Sequence, residues 1–130
     1  MIAVDTSALV AVALGEPERA DFNLCIARHG ALIGTPTLLE LSLVLTTRLQ
    51  GGADAFVDGL LRLPGIHPVD FSLDLSRAAS EAFLRFGKGR HPAGLNFGDC
   101  MAYAVARVHD VPLLFKGDDF ARTDIRPAFR

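Results

Sequence analysis

The sequence predicts an α/β fold, a small and mainly parallel sheet with helices on both faces. Short apolar runs recur at Met1–Val4, Ala31–Gly34, Ile66–Val69 and Pro112–Phe115. Segments with helical spacing separate them, and strands that alternate with helices argue a parallel sheet, because parallel strands need crossover connections. Acidic residues also fall where such a sheet gathers functional groups, beyond the carboxyl ends of its strands. Asp5 ends the first run, Asp118 and Asp119 follow the last, and Glu40 and Asp99 stand in the first turns of two helices.

Met1–Val4 reads as a buried first strand. Thr6 to Leu14 is apolar almost all round, which suits a helix buried on several sides, and Gly15 ends it. Pro17 fits the first turn of a second helix reaching about Arg28. After the strand Ala31–Gly34, Thr37 to about Leu49 is helical, with Leu38, Leu41, Leu45 and Leu49 spaced for one face. Gly51-Gly52 breaks it, and Ala53–Leu63 follows, closed by Pro64-Gly65. Beyond the strand Ile66–Val69, Ser72 to Phe86 is amphipathic, with Leu75, Ala79, Ala82, Phe83 and Phe86 on its apolar side. Gly87 to Gly94 is an irregular, basic, Gly-rich loop. Gly98 to His109 is the most apolar helix and is expected to be the most buried; a last extended piece near Ile125 is expected as an edge strand.

The chain has 130 residues, half of them apolar, which suits one domain over residues 1–130 with a sizeable core. A mean hydropathy of +0.31 is high for so short a chain, and leaves two readings open: an Ala- and Leu-rich core, or apolar surface covered by a partner. No apolar run reaches the length of a membrane span, and no basic region precedes the first apolar stretch, so neither a membrane anchor nor a signal peptide is expected. Cys25 and Cys100 lie in apolar helical segments outside any Cys-x-x-Cys pair, the pattern of buried free thiols in a reducing cytoplasm. The net charge of −2 gives no global field for nucleic acid. Basic residues nevertheless cluster at Lys88 and Arg90 and again at Lys116, Arg122 and Arg126, a local rim around an acidic centre.

Each acid has a structural reading beside the functional one. Asp5 suits a helix cap. Thr37-Leu-Leu-Glu40 matches a capping box, with Thr35 before Pro36 as a competing cap. Asp99 suits the positive end of its helix, with Asn96 as the cap, yet a carboxylate on so apolar a helix needs a partner. Gly117-Asp118-Asp119 is ordinary turn chemistry. Their conjunction on one sheet edge favours function: several carboxylates meeting there repel one another unless a hard divalent cation such as Mg²⁺ or Mn²⁺, which prefers oxygen ligands, neutralises them. Other motifs fail: Gly87-Lys-Gly-Arg lacks P-loop spacing, and no Gly-x-Ser-x-Gly elbow or zinc-spaced histidine set is present.

Three stretches together resemble a known family. Ile2-Ala-Val-Asp-Thr-Ser-Ala-Leu9 resembles the opening of PIN-domain ribonucleases. Gly87-Lys-Gly-Arg-His-Pro-Ala-Gly-Leu-Asn-Phe-Gly-Asp-Cys100 and Leu113-Leu-Phe-Lys-Gly-Asp-Asp-Phe120, followed by Thr123-Asp124-Ile125, resemble the toxins of VapBC-type toxin–antitoxin modules. The resemblance spans the chain. It implies a PIN-like three-layer sandwich and an endoribonuclease dependent on Mg²⁺ or Mn²⁺, commonly a homodimer and inhibited by a VapB-like antitoxin. By the same resemblance Asp5, Glu40 and Asp99 take the first three acidic positions, with Thr6 and Asn96 as accompanying polar residues. The fourth falls on Asp118 or Asp119, and the Asp directly before Phe120 matches the pattern better.

The expected chemistry is metal-assisted hydrolysis of RNA phosphodiesters, with Lys88, Arg90, Lys116 and Arg122 as candidate phosphate contacts; a solvated basic surface is the competing reading. Two alternatives remain at this point. A phosphoacceptor signalling domain also clusters Asp, Lys and Mg²⁺, but it wants an acidic pair after its first strand, where Asp5 stands alone. A catalytically silent PIN fold would serve only as a binding module, and the full set of acids argues against it.

Overall fold

In the computed structural model, which describes residues 1–129, four strands form one sheet: β1 (Ile2–Val4), β2 (Ala31–Gly34), β3 (Ile66–Val69) and β4 (Leu113–Leu114). All pair in parallel, in the order β3-β2-β1-β4. Ala3 lies opposite Leu32 on one side and Leu113 on the other, so β1 is central. The chain steps outward through β2 and β3 and then returns to the far side of β1 for β4. That reversal puts a topological switch point between β1 and β4, where open α/β sheets form their crevices.

Successive strand residues face opposite sides of a sheet. Ile2, Val4, Ala31 and Ile33 accordingly enter one core with Leu9, Phe22, Ile26, Leu41, Leu45 and Leu60. These come from α1 (Thr6–Ala13), α2 (Arg19–His29), α3 (Thr35–Arg48) and α4 (Ala53–Arg62). Ala3, Leu32 and Leu113 enter the other core with Leu75, Phe86, Cys100, Tyr103 and Val105, from α5 (Leu73–Phe86) and α6 (Phe97–His109). The result is helices, sheet, helices: the three-layer α/β sandwich expected. The second layer rests on α6, whose Cys100 and residues 102–106 are buried without a break.

Local departures have local causes. The second helix begins at Arg19 and not at Pro17. The Arg19 N–H donates to the Glu16 carbonyl at 3.0 Å, which places Pro17 at the second position of a four-residue turn, where its fixed φ is favoured. The fourth strand shrinks to two residues, and the expected edge strand near Ile125 is a single bridge of Leu113 to Pro127. The Leu113 N–H donates to the Arg126 carbonyl and the Ala128 N–H to the Leu113 carbonyl, each at 2.9 Å; the Pro127 nitrogen therefore points away from β4, the edge position at which a proline is tolerated. The third helix starts at Thr35, two residues early, with Pro36 in its first turn and no side-chain cap at Gly34. The capping-box reading of Thr37 and Glu40 therefore does not hold, because Thr37 already lies inside the helix.

Candidate active site

Parallel pairing puts every strand's carboxyl end on one edge, and the sequence places an acid or a helix start just beyond three of them. Asp5 follows β1 and is the cap of α1: its Oδ2 accepts from the Ser7 N–H at 3.0 Å. It is 4% exposed. The next residue, Thr6, is buried, and its hydroxyl donates to Oε1 of Glu40 on α3. Glu40 is thus tied to the end of β1 and not to its own helix start. Asp99 closes the capping box of α6, its Oδ2 accepting from the Asn96 N–H at 3.0 Å while its own N–H donates to Asn96 Oδ1 at 2.9 Å. A cavity of about 390 Å³ is lined by Asp5, Thr6, Glu40 and Asp99, joined by Glu16 and Lys116.

Burial, chiefly, and the charges of Asp99 and Glu40 push the Asp5 carboxyl up to about 6, against the hydrogen bonds from Ser7 that favour its charged form. Asp99 is also raised, first by burial and then by the charges of Asp119 and Glu40, while the Asn96 N–H pulls the other way. Among the described residues lining the cavity Lys116 alone is cationic, and its ammonium is engaged by Glu16 at 3.0 Å and Glu18 at 3.3 Å. Those two carboxylates raise it, the Glu16 hydrogen bond most. Three acids thus share a crevice without a cation of their own. Among the described residues, no three His, Cys, Asp or Glu side chains close around one point at metal-ligand spacing.

The remaining candidates lie around this centre. Asp118 and Asp119 are exposed, just ahead of a 3₁₀ turn at Phe120–Arg122, and outside the cavity lining. Asp119 is near enough to bear on Asp99. Phe120 is buried beside Phe115, with ring centroids 5.3 Å apart, and anchors that turn in the core. Lys88 and Arg90 are exposed on the loop before α6, and Arg122 donates to the Pro92 carbonyl of that loop at 3.2 Å. Of the four basic candidates, therefore, only Lys116 reaches the acidic crevice.

Two members of the site were not anticipated. Ser7 supplies the N–H that holds Asp5, and its hydroxyl accepts from the Lys116 N–H at 3.0 Å, pinning the end of β4 to the start of α1. Its place two residues after a capping Asp was the available signal. Glu16 had none, being a charged residue in a turn.

Residues 2–126 match the PIN domain family. The chain is 42% identical over 123 residues to Ribonuclease VapC30 of Mycobacterium tuberculosis, covering 94% of each chain. It is 40% identical over 127 residues to Ribonuclease VapC42 of the same organism, covering 96% of this chain and 97% of that one. Among solved structures it is similar in fold to VapC20 of M. tuberculosis, described as a sarcin-ricin-loop-cleaving toxin, with TM-score 0.74 and 22% identity over 98% of this chain and all of that one. It is likewise similar to VapBC2 of Rickettsia felis bound to a promoter DNA fragment, with TM-score 0.73 and 16% identity over 98% of this chain and 96% of that one. The expected PIN-like sandwich is thereby established, the phosphoacceptor alternative is set aside, and the chain belongs to the PIN-domain family, alongside the VapC ribonucleases.

Proposed function

We propose that this protein is a metal-dependent endoribonuclease, the toxin of a type II toxin–antitoxin module, hydrolysing phosphodiester bonds of RNA. One observation carries the reading: Asp5, Glu40 and Asp99, from three elements distant in sequence, line one cavity at the carboxyl edge of the sheet of a chain 42% identical to VapC30. Asp119 is assigned as the fourth acid and Asp118 as its solvent-facing neighbour, because Asp119 is the one whose charge bears on Asp99.

The donor set fits Mg²⁺ or Mn²⁺. It consists of carboxylate oxygens, and its most buried member, Asp5, is held up to about 6 chiefly by burial and then by two like charges, both of which a cation would offset. When bound, the cation supplies a Lewis acid that activates water and offsets negative charge on the phosphate. Asp5, Asp99, Glu40 and Asp119 would hold it. The protein's own part is orientation. The Ser7 N–H directs Asp5, Thr6 directs Glu40, and Asn96 directs Asp99. Lys116 at the crevice, with Arg122, Lys88 and Arg90 farther out, is assigned to the phosphate backbone, contacts that position RNA without reading its bases.

Purified protein, freed of any partner, should cut RNA with Mg²⁺ or Mn²⁺ and stop on chelation with EDTA. Undiminished cleavage in EDTA would overturn the metal mechanism, and no cleavage with either ion would overturn the nuclease. The antitoxin partner, VapB-like, is supported by the solved relatives found in toxin–antitoxin complexes. A homodimer is supported by Leu39, Leu43 and Phe97, which are exposed and line an apolar groove of about 560 Å³ beside the site. No described helix is long and apolar enough to cross a membrane, and the proposed site of action is the cytoplasm.

A further inference from the structure

Glu40 is held from two sides. Thr6 donates to its Oε1 on one, and on the other the carboxylate lies against the backbone of Gly98 in the first turn of α6. A Cβ built on Gly98 would stand 2.8 Å from Oε1 and 2.9 Å from Cδ of Glu40, closer than side-chain carbons sit to such neighbours. The backbone gives no reason for a glycine here. Gly98 is not among the glycines with positive φ, and within a helix glycine is a poorer residue than alanine. The atoms in the way belong to the flexible end of one side chain, so a methyl group at this position would displace the carboxylate and leave the fold in place. The bare turn also gives Glu40 the positive end of α6, which favours a carboxylate.

We propose that Gly98 is a positioning residue for Glu40: the absence of a side chain at the start of α6 is what admits the Glu40 carboxylate to the acidic crevice. Only the kinetic part of the test rests on the ribonuclease reading. Three variants are compared with the wild type: Gly98→Ala, Glu40→Asp, and both together. Shortening Glu40 by one methylene withdraws its carboxylate from the added methyl group.

Gly98→Ala should keep the wild-type melting temperature, lose the Thr6–Glu40 hydrogen bond in its crystal structure, and weaken Mn²⁺ binding, read by electron paramagnetic resonance with Mn²⁺ alone, by about tenfold, with a similar loss in RNA cleavage. The double variant should be no worse than Glu40→Asp alone, the mark of two residues that act through one contact. A Gly98→Ala protein with Glu40 unmoved, or one that binds Mn²⁺ as the wild type does, overturns the proposal, as does a double variant showing the product of the two single losses. If Gly98→Ala fails to fold while the double variant folds, the clash is confirmed; if neither folds, the proposal falls. A wild type that binds Mn²⁺ and cuts no RNA would remove the ribonuclease reading and leave Gly98 judged by structure and binding. A wild type that binds no Mn²⁺ leaves the crystal structures to decide.

Discussion

Asp5 caps α1 and lines the acidic crevice at once, and its carboxyl is pushed up to about 6. Because the folded protein holds this proton more tightly than the unfolded chain, Asp5 adds stability when protonated and withdraws it as pH rises from about 4 to about 6. The difference is about 2–3 kcal/mol. Asp5→Asn, isosteric with the protonated acid, should therefore melt higher than the metal-free wild type at pH 7.5, converge with it near pH 4, and cut no RNA; scanning calorimetry at the two pH values checks this, and a lower melting temperature at pH 7.5 would refute it. For Glu40 the structure sharpens the expectation. Its partner is Thr6 and not a helix N–H, and Gln can still accept that bond. Glu40→Gln should abolish cleavage with a melting temperature within a few degrees of wild type. Asp119 caps the 3₁₀ turn at Phe120–Arg122 while Asp118 lies in the bend before it, so the two carboxylates leave different backbone geometries and only one is expected to face the ion. Asp119→Asn should remove most cleavage and Asp118→Asn much less, by paired kinetics at low Mg²⁺. That Asp5 and Asp99 fall at the carboxyl edge of the sheet was legible from their positions after a strand and at a helix start; Glu40, expected in a first turn, lies deeper in α3 because that helix begins at Thr35. The bond between Thr6 and Glu40 was not legible, because it joins residues 34 apart and depends on how two helices leave the sheet.

At the scale of elements, local signals sufficed where one residue settles the geometry. Asn96 announces α6 and Ser72 announces α5, and both cap their helices as their residue types suggest. Where two signals compete, the sequence could not arbitrate. The third helix offered Thr35 and Thr37 as caps, and neither serves: Gly34 takes the cap position, Thr35 is already helical, and Pro36, with its fixed φ, is accommodated in the first turn. The box on α6 carries the firmest prediction. Asn96→Ala removes the acceptor for the Asp99 N–H and should cost about 1 kcal/mol of stability. It should also lower cleavage, since losing the side-chain acceptor for the Asp99 N–H loosens the first turn that carries the Asp99 carboxylate in the crevice, while the main-chain N–H of residue 96 that this carboxylate accepts from is kept. A full-rate enzyme with the same loss of stability would separate cap from site. The segment after the 3₁₀ turn is secured by different means. Asp124 accepts from the Tyr103 hydroxyl at 2.6 Å and pairs with Arg85 at 3.2 Å. Burial alone would raise it; the Tyr103 hydrogen bond and the Arg85 and Arg107 charges outweigh that and hold it below the usual carboxylate range.

For the whole molecule, the three-layer sandwich was readable because the strands are short apolar runs and the helices amphipathic, so few topologies could bury both. The apolar surplus is harder to read from composition, since a residue's share of the core is decided only when layers meet. Leu41 and Leu45 went inside, while Leu39 and Leu43 on the same helix remain 61% exposed beside Phe97 at 82%. If that groove is where two copies meet, the wild type should scatter light as a dimer at micromolar concentration and Leu43→Glu as a monomer. A monomeric wild type would refute the homodimer.

The two cysteines lie on opposite sides of the sheet. Cys25 belongs to the layer of α1–α4 and Cys100 to the layer of α5 and α6, and both are free and buried. Burial holds both thiols above their ordinary range, Cys100 up to about 11, so neither offers an appreciable thiolate at neutral pH while its layer is closed. The chain thus carries a native reporter in each half. Under a slow alkylating reagent, the order in which the two masses appear records which side of the sheet opens first, with no engineered label.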